Sequence, residues 1–195
     1  MKIIGITGGI GTGKSTVLDI LREKHEAYIV EADKLAHKLM SSGYSVYREI
    51  VGVFGEEILT EEGEIDRTIL GRLVFGSPES LDRLNRIVHP AVKEFILQDI
   101  RKKEEEKTTP LYVVEAALLI EDGYRAVCDE LWYVYTEREE RIRRLISGRG
   151  GNREKWEQIM KNQSADGFYF ANCDVVIDNG KSIEDTINVV KDLLS

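Results

Sequence analysis

Residues 8–15 read Gly-Gly-Ile-Gly-Thr-Gly-Lys-Ser, with no bulky side chain from Gly11 to Gly13. Glycines let a chain fold around an anion with no Cβ in the way, so backbone N–H groups can point inward. The stretch fits in full the pattern of glycine, four residues, then Gly-Lys-Ser/Thr. Each part has a use. The N–H groups cradle phosphate, and a following helix adds partial positive charge at its amino end. Lys14 has the reach for β- and γ-phosphates, and the Ser15 hydroxyl is a ligand for Mg²⁺. Contacts to the phosphates of a nucleotide are therefore expected along Gly8, Gly9, Ile10, Gly11, Thr12, Gly13, Lys14, Ser15 and Thr16.

Such a loop works only between a strand and a helix. Residues 2–7, Lys-Ile-Ile-Gly-Ile-Thr, are a short β-branched run and predict a buried strand. After the glycines, Val17, Leu18 and Leu21 share one helical face. Further strands are expected at 27–33, 111–115, 130–136 and 174–178. A closing helix starts at Ser182 as N-cap, with Asp185 three residues on. Strands separated by helices predict an α/β fold with a five-stranded parallel sheet flanked by helices. Two gaps exceed a simple crossover. Residues 34–109 read as nearly all helix, and 137–172 as an arginine-rich helical stretch broken at Ser-Gly-Arg-Gly-Gly-Asn. The expected division is a nucleotide-binding core (1–33, 110–136, 173–195), a helical acceptor-binding insert (34–109) and a helical lid (137–172).

Composition narrows the partners. The chain of 195 residues carries 35 acidic and 27 basic side chains, net −8, which argues against a nucleic-acid partner. A small phosphorylated ligand needs only a local positive site. Cys128 and Cys173 lie far apart and, with three histidines, make no metal spacing; two reduced thiols are expected. No run reaches the roughly 18 apolar residues of a membrane span, and Glu115 interrupts the longest candidate. The amino end lacks a sustained apolar segment with a cleavage site. These features predict a cytoplasmic, unprocessed protein with no membrane or obligate protein partner. Neither an Asn-Lys-x-Asp nor an Asp-x-x-Gly pattern occurs, which sets aside GTPase switches. A small-metabolite kinase suits the length.

The chain resembles the dephospho-coenzyme A kinase family. The resemblance is carried, in order, by Gly-Ile-Thr-Gly-Gly-Ile-Gly-Thr-Gly-Lys-Ser, Glu-Ala-Asp at 31–33, Gly-Glu-Ile-Asp-Arg-Thr-Ile-Leu-Gly-Arg-Leu-Val-Phe at 63–75, Ile-Val-His-Pro at 87–90, Ala-Leu-Leu-Ile-Glu-Asp-Gly at 117–123 and Asp-Val-Val-Ile-Asp-Asn at 174–179. It implies a P-loop core with a helical substrate domain and a lid, and transfer of the ATP γ-phosphate, with Mg²⁺, to the 3′-hydroxyl of dephospho-coenzyme A. Ala117, Asn85 and Tyr169 depart from the family pattern, and the second lid arginine, Arg149, stands one place late. Rival readings are another small-molecule kinase on the same core, or a non-catalytic nucleotide-binding protein.

By this resemblance Asp33 accepts a hydrogen bond from the attacking hydroxyl; its other reading is an N-cap for the next helix. Glu31, two residues away, shares its strand face. Glu115 is either a Walker-B-like carboxylate for Mg²⁺ or a solvated edge residue. Asp66 and Arg67 line the acceptor pocket or form a surface ion pair, and His89 contacts acceptor or is structural. Arg144 and Arg149 meet the phosphates from the lid or face water. Asn179 approaches the adenine or makes a routine turn with Gly180.

Overall fold

A computed structural model describes residues 1–195. The chain forms two compact units, one of Met1–Val30 with Glu106–Ser195 and one of Glu31–Glu105.

In the first unit, strand β1 (Lys2–Thr7) leads through the glycine loop into helix α1 (Lys14–His25). Then come β2 (Tyr28–Glu31), β3 (Leu111–Glu115), β4 (Glu130–Tyr135) and β5 (Val175–Asp178). The sheet order is β2-β3-β1-β4-β5. The β1–β3, β1–β4 and β4–β5 ladders are parallel. Helices α6 (Arg138–Arg149), α7 (Arg153–Lys161) and α8 (Asp166–Asn172) fill the stretch read as a lid, and α9 (Ile183–Leu194) closes the chain. The second unit holds α2 (Ala32–Leu39), α3 (Ser45–Phe54), α4 (Arg67–Phe75) and α5 (Pro78–Glu106, its last residue in the first unit). A 3₁₀ turn at Glu56–Ile58 and an antiparallel bridge between Leu59 and Ile65 are its only departures from helix and loop.

Central strands buried on both faces read as unbroken apolar runs, and β3 is buried at all five positions. Ile4 and Ile6 of β1 pack with Val113, Trp132, Val134 and Ile177 against Val17 and Leu21 of α1 and Val190 of α9. Each such side chain contributes about 1.5–3 kcal/mol by leaving water. This layer fixes α1, and so fixes the loop that precedes it.

Three strands differ from the sequence reading at their ends. β2 spans 28–31 rather than 27–33, because Ala32, Leu35 and Leu39 make a buried helical stripe that claims 32 and 33 for α2. Asp33 therefore lies in the first turn of α2 and does not end a strand. β4 stops at Tyr135, since the Thr136 hydroxyl donates to the Thr12 carbonyl (3.0 Å). β5 starts at Val175, because the Asp174 carboxylate accepts the Leu131 N–H (2.7 Å) and pairs with Arg125. The capping box at Ser182 and Asp185 is present as expected.

Candidate phosphate-loop site

Parallel sheets bind ligands where neighbouring strands send their connections in opposite directions. From β1 the chain passes to β2 on one side; from β3 it passes to β4 on the other. β1 and β3 are adjacent, so their carboxyl ends mark the switch point. The glycine loop follows β1, and Glu115 ends β3 opposite Ile6. Topology alone thus brings the loop and this carboxylate together.

The loop hands over to α1 at Gly13, whose φ of 84° lies in the left-handed region. No side chain caps the amino end of α1, and no acidic residue stands in its first turn. Its leading N–H groups and partial positive charge are therefore not neutralised by the protein's own carboxylates, which suits an anion. The Lys14 ammonium donates to the Gly8 carbonyl (2.7 Å) and lies 3.6 Å from the Glu115 carboxylate. Both side chains are largely buried. This contradicts the solvated-edge reading of Glu115, which is 9% exposed. Ser15 is exposed at the first turn of the helix.

Mg²⁺ takes hard oxygen donors and keeps most of its shell for water and phosphate. A hydroxyl and a single carboxylate fit that demand. No cluster of three or more His, Cys, Asp or Glu offers a protein-only cage. Ser15 and Glu115 could supply these donors.

Thr12 does not face a ligand with its side chain. It is fully buried, and its hydroxyl donates to the Gly9 carbonyl (2.9 Å). The Thr12 carbonyl is gripped by the Thr136 hydroxyl and by the Asn179 amide (2.9 Å). Asn179 is spent on this framework: its Oδ1 accepts from Thr186 of α9 (3.0 Å), and its backbone carbonyl accepts from Arg144 Nη2 (2.9 Å). Asn179 and Gly180 do form a turn. The side chain is a strut from the last strand to the loop.

Gly13 is required by this strut. A Cβ there would sit 2.1 Å from Asn179 Nδ2, besides meeting the penalty of a positive φ. Gly13→Ala should destabilise the protein by about 2–3 kcal/mol, from left-handed strain plus one lost hydrogen bond. Denaturant unfolding measures this, and a loss under 0.5 kcal/mol (about what an ordinary surface change costs) would contradict the strut.

Arg144 reaches the loop. It donates to Glu140 (2.8 Å) and to the Asn179 carbonyl, and its Nη1 lies near Gly13. Arg143 and Arg144 together hold the Glu140 carboxyl well below the usual range, at about 2. Arg149 is exposed at the far end of α6 and is not brought to the loop. Arg141 was not singled out in the sequence, yet it is 5% exposed and bonds the loop carbonyl of Ile10 (3.0 Å). Gln163 accepts the Ile10 N–H (2.9 Å). An arginine one helical turn before the buried Leu145 was the available signal, since both fall on one face of α6.

In the second unit, Asp33 is exposed in the first turn of α2. The N-cap position falls on Glu31, so the capping reading of Asp33 fails. Glu31 pairs with Lys34 (2.8 Å). Asp66 is not in an ion pair with Arg67; it is the N-cap of α4, accepting from the N–H groups of Thr68 (2.7 Å) and Ile69 (3.1 Å). Arg67 is exposed, and His89 is half-buried on α5, which runs through Pro90 without ending.

Comparison with known proteins adds what geometry leaves open. The family model described as dephospho-CoA kinase (CoaE) matches residues 2–185. A dephospho-CoA kinase of Carboxydothermus hydrogenoformans is 41% identical over 189 residues, 95% of this chain and 89% of that one. A solved protein of Thermus thermophilus superposes with a TM-score of 0.81 at 30% identity, covering 99% of this chain and 96% of the other. The solved dephospho-CoA kinase of Campylobacter jejuni gives 0.72 at 26% identity, covering 99% and 98%.

Proposed function

Because the chain belongs to the dephospho-CoA kinase family, we propose that it transfers the γ-phosphoryl group of ATP to the 3′-hydroxyl of dephospho-coenzyme A, giving coenzyme A and ADP. The observation that carries this reading is the family match along nearly the whole chain, on a core whose loop, Lys14 and Glu115 converge at the sheet's switch point.

Phosphoryl transfer is mostly positioning and neutralisation of charge. The loop N–H groups and the amino end of α1 take the β- and γ-phosphates. Lys14 leaves the Gly8 carbonyl for the transferring group, and Arg144 adds charge beside Gly13. Mg²⁺, held through Ser15 and Glu115, would draw charge from the phosphate oxygens. The bond from the γ-phosphorus to the β-bridging oxygen breaks as that to the acceptor oxygen forms. Asp33 orients the acceptor hydroxyl and takes its proton late. Residues 34–109, with Asp66, Arg67 and His89, bind the acceptor; Asp66 does so while capping α4. Residues 137–172 close as a lid, bringing Arg149 inward and excluding water. Asn179 shapes the nucleotide end of the site. ATP as donor and two free thiols suit the cytoplasm, and no helix is long and apolar enough to cross a membrane.

An ADP-release assay with Mg²⁺ and a panel of hydroxyl acceptors tests the reading. Dephospho-coenzyme A should give acceptor-dependent ADP and a product heavier by one phosphoryl group. Release that is indifferent to this acceptor, or higher with another, would overturn it.

A further inference from the structure

Two charged side chains, Glu115 and Arg141, are buried. The reaction above uses only the first. Arg141 lies on α6, 131 residues from the loop it touches. Its Nε donates to the Ile10 carbonyl (3.0 Å) and its Nη1 to the Asp166 carboxylate (3.3 Å). Asp166 also accepts from the buried Tyr133 hydroxyl on β4 (2.7 Å). Burial, and then this bond, push the Tyr133 hydroxyl well above its usual ionisation range, so it stays a donor. A continuous chain of polar contacts therefore runs from the sheet, through Tyr133, Asp166 and Arg141, to the tip of the phosphate loop.

The loop is shaped to receive this contact. A Cβ at Gly9 would lie 2.3 Å from Arg141 Nη2 and 3.0 Å from Gln163 Oε1. Both backbone polar groups of Ile10 are taken by side chains of the stretch 141–163, the carbonyl by Arg141 and the N–H by Gln163. A loop of glycines has many conformations, and a cradle works only in one of them. Arginine suits the task because it stays charged and its planar fork spans two acceptors at fixed geometry.

We propose that Arg141, oriented by Asp166, is a positioning residue for the ATP phosphates: it locks the Gly9–Ile10 segment in one form, from which the loop runs on to the amino end of α1, and sets a permanent positive charge against it. This rests on the loop being the ATP site, and the test separates the two ideas. ATP binding is measured directly, without acceptor, on the full chain. Arg141→Met keeps the packing but loses both bonds and the charge. It should weaken ATP about 10–100-fold, the usual worth of bonds to a charged group. With saturating ATP, kcat should stay within about threefold, and KM for dephospho-coenzyme A within about twofold, since neither depends on a preformed loop once ATP is bound. Arg141→Lys keeps charge without the fork and should recover part of the loss. Asp166→Ala should weaken ATP about 3–10-fold alone and add almost nothing in the Arg141→Met background, as expected for two links of one chain.

Wild-type protein that binds no ATP would sink the loop assignment and this inference together. Normal wild-type binding with Arg141→Met within about twofold of it would overturn the positioning role alone. So would additive effects of the two changes, or equal losses for both substrates that follow a fall in thermal stability. Should Arg141→Met not fold, Asp166→Ala carries the comparison: Asp166 is 37% exposed, and its loss leaves no cavity.

Discussion

Lys14→Ala should lower kcat by about 10²–10³, the usual effect of removing one donor aimed at developing charge. The ammonium rests on the Gly8 carbonyl and beside Glu115, so it is already at the loop and needs only a short movement to meet phosphate. Preorganised charge of this kind does not have to be gathered from solvent during the reaction. The fold should persist, because α1 is held by Val17, Leu18 and Leu21 on its buried face and not by Lys14. Coupled ADP release at saturating substrates gives kcat, and far-ultraviolet circular dichroism checks the fold. A folded variant within a few-fold of wild type would remove Lys14 from the reaction.

Asp33→Asn should lower turnover by about 10²–10⁴, the range a positioned base supplies, while ATP affinity barely changes. Two readings competed for this residue, and the structure removes one, because the helix cap falls on Glu31. An exposed carboxylate in the first turn of α2 gains a little from the helix dipole and nothing from a cap. Its replacement should therefore cost the fold almost nothing, which makes the kinetic test clean. Since the transition state is loose, orientation of the hydroxyl should matter more than basicity. Asp33→Glu should consequently fail as well, one methylene misplacing an oxygen whose charge is kept. Steady-state turnover and ATP binding for both variants decide the matter. Near-normal turnover of Asp33→Asn would pass the role to Glu31 or Glu115.

Local chemistry made much of this molecule readable in advance. The loop is legible because its glycines, Lys14 and Ser15 are adjacent in sequence. β1 and β3 are legible to the residue, because β1 is a β-branched run closed by the glycine loop and β3 is a short apolar run that Pro110 precedes and Glu115 ends. Ser182 and Asp185 announce α9 through a bond spanning three residues. What stayed hidden is set by long-range packing. Asn179 reads as an approach to the adenine or as a routine turn, and its role as a strut shows only when the fold brings its amide 2.9 Å from the carbonyl of Thr12, 167 residues earlier. Arg141 reads as one more arginine on a charged helix until its side chain is buried against Ile10. The start of α2 was misplaced because Ala32 and Asp33 fit either a strand end or a helix start; the buried face of Ala32, Leu35 and Leu39 decides between them.

The strand order sets a timetable for synthesis. β1 is made before the other strands of the sheet and lies at its centre, yet its neighbours β3 and β4 begin at Leu111 and Glu130. From Thr7 to Leu111 is 111 − 7 = 104 residues. At about 5–20 residues per second the ribosome takes roughly 5–20 s to supply the first partner of β1. Throughout that time Ile3, Ile4 and Ile6 have no sheet to enter. The stretch 31–105, by contrast, is complete in sequence before β3 emerges and draws on local helical contacts, which form quickly. The nascent chain thus carries an apolar strand awaiting its partners while its later helices are already able to condense, so β1 is exposed to mispairing until Leu111–Glu115 is made.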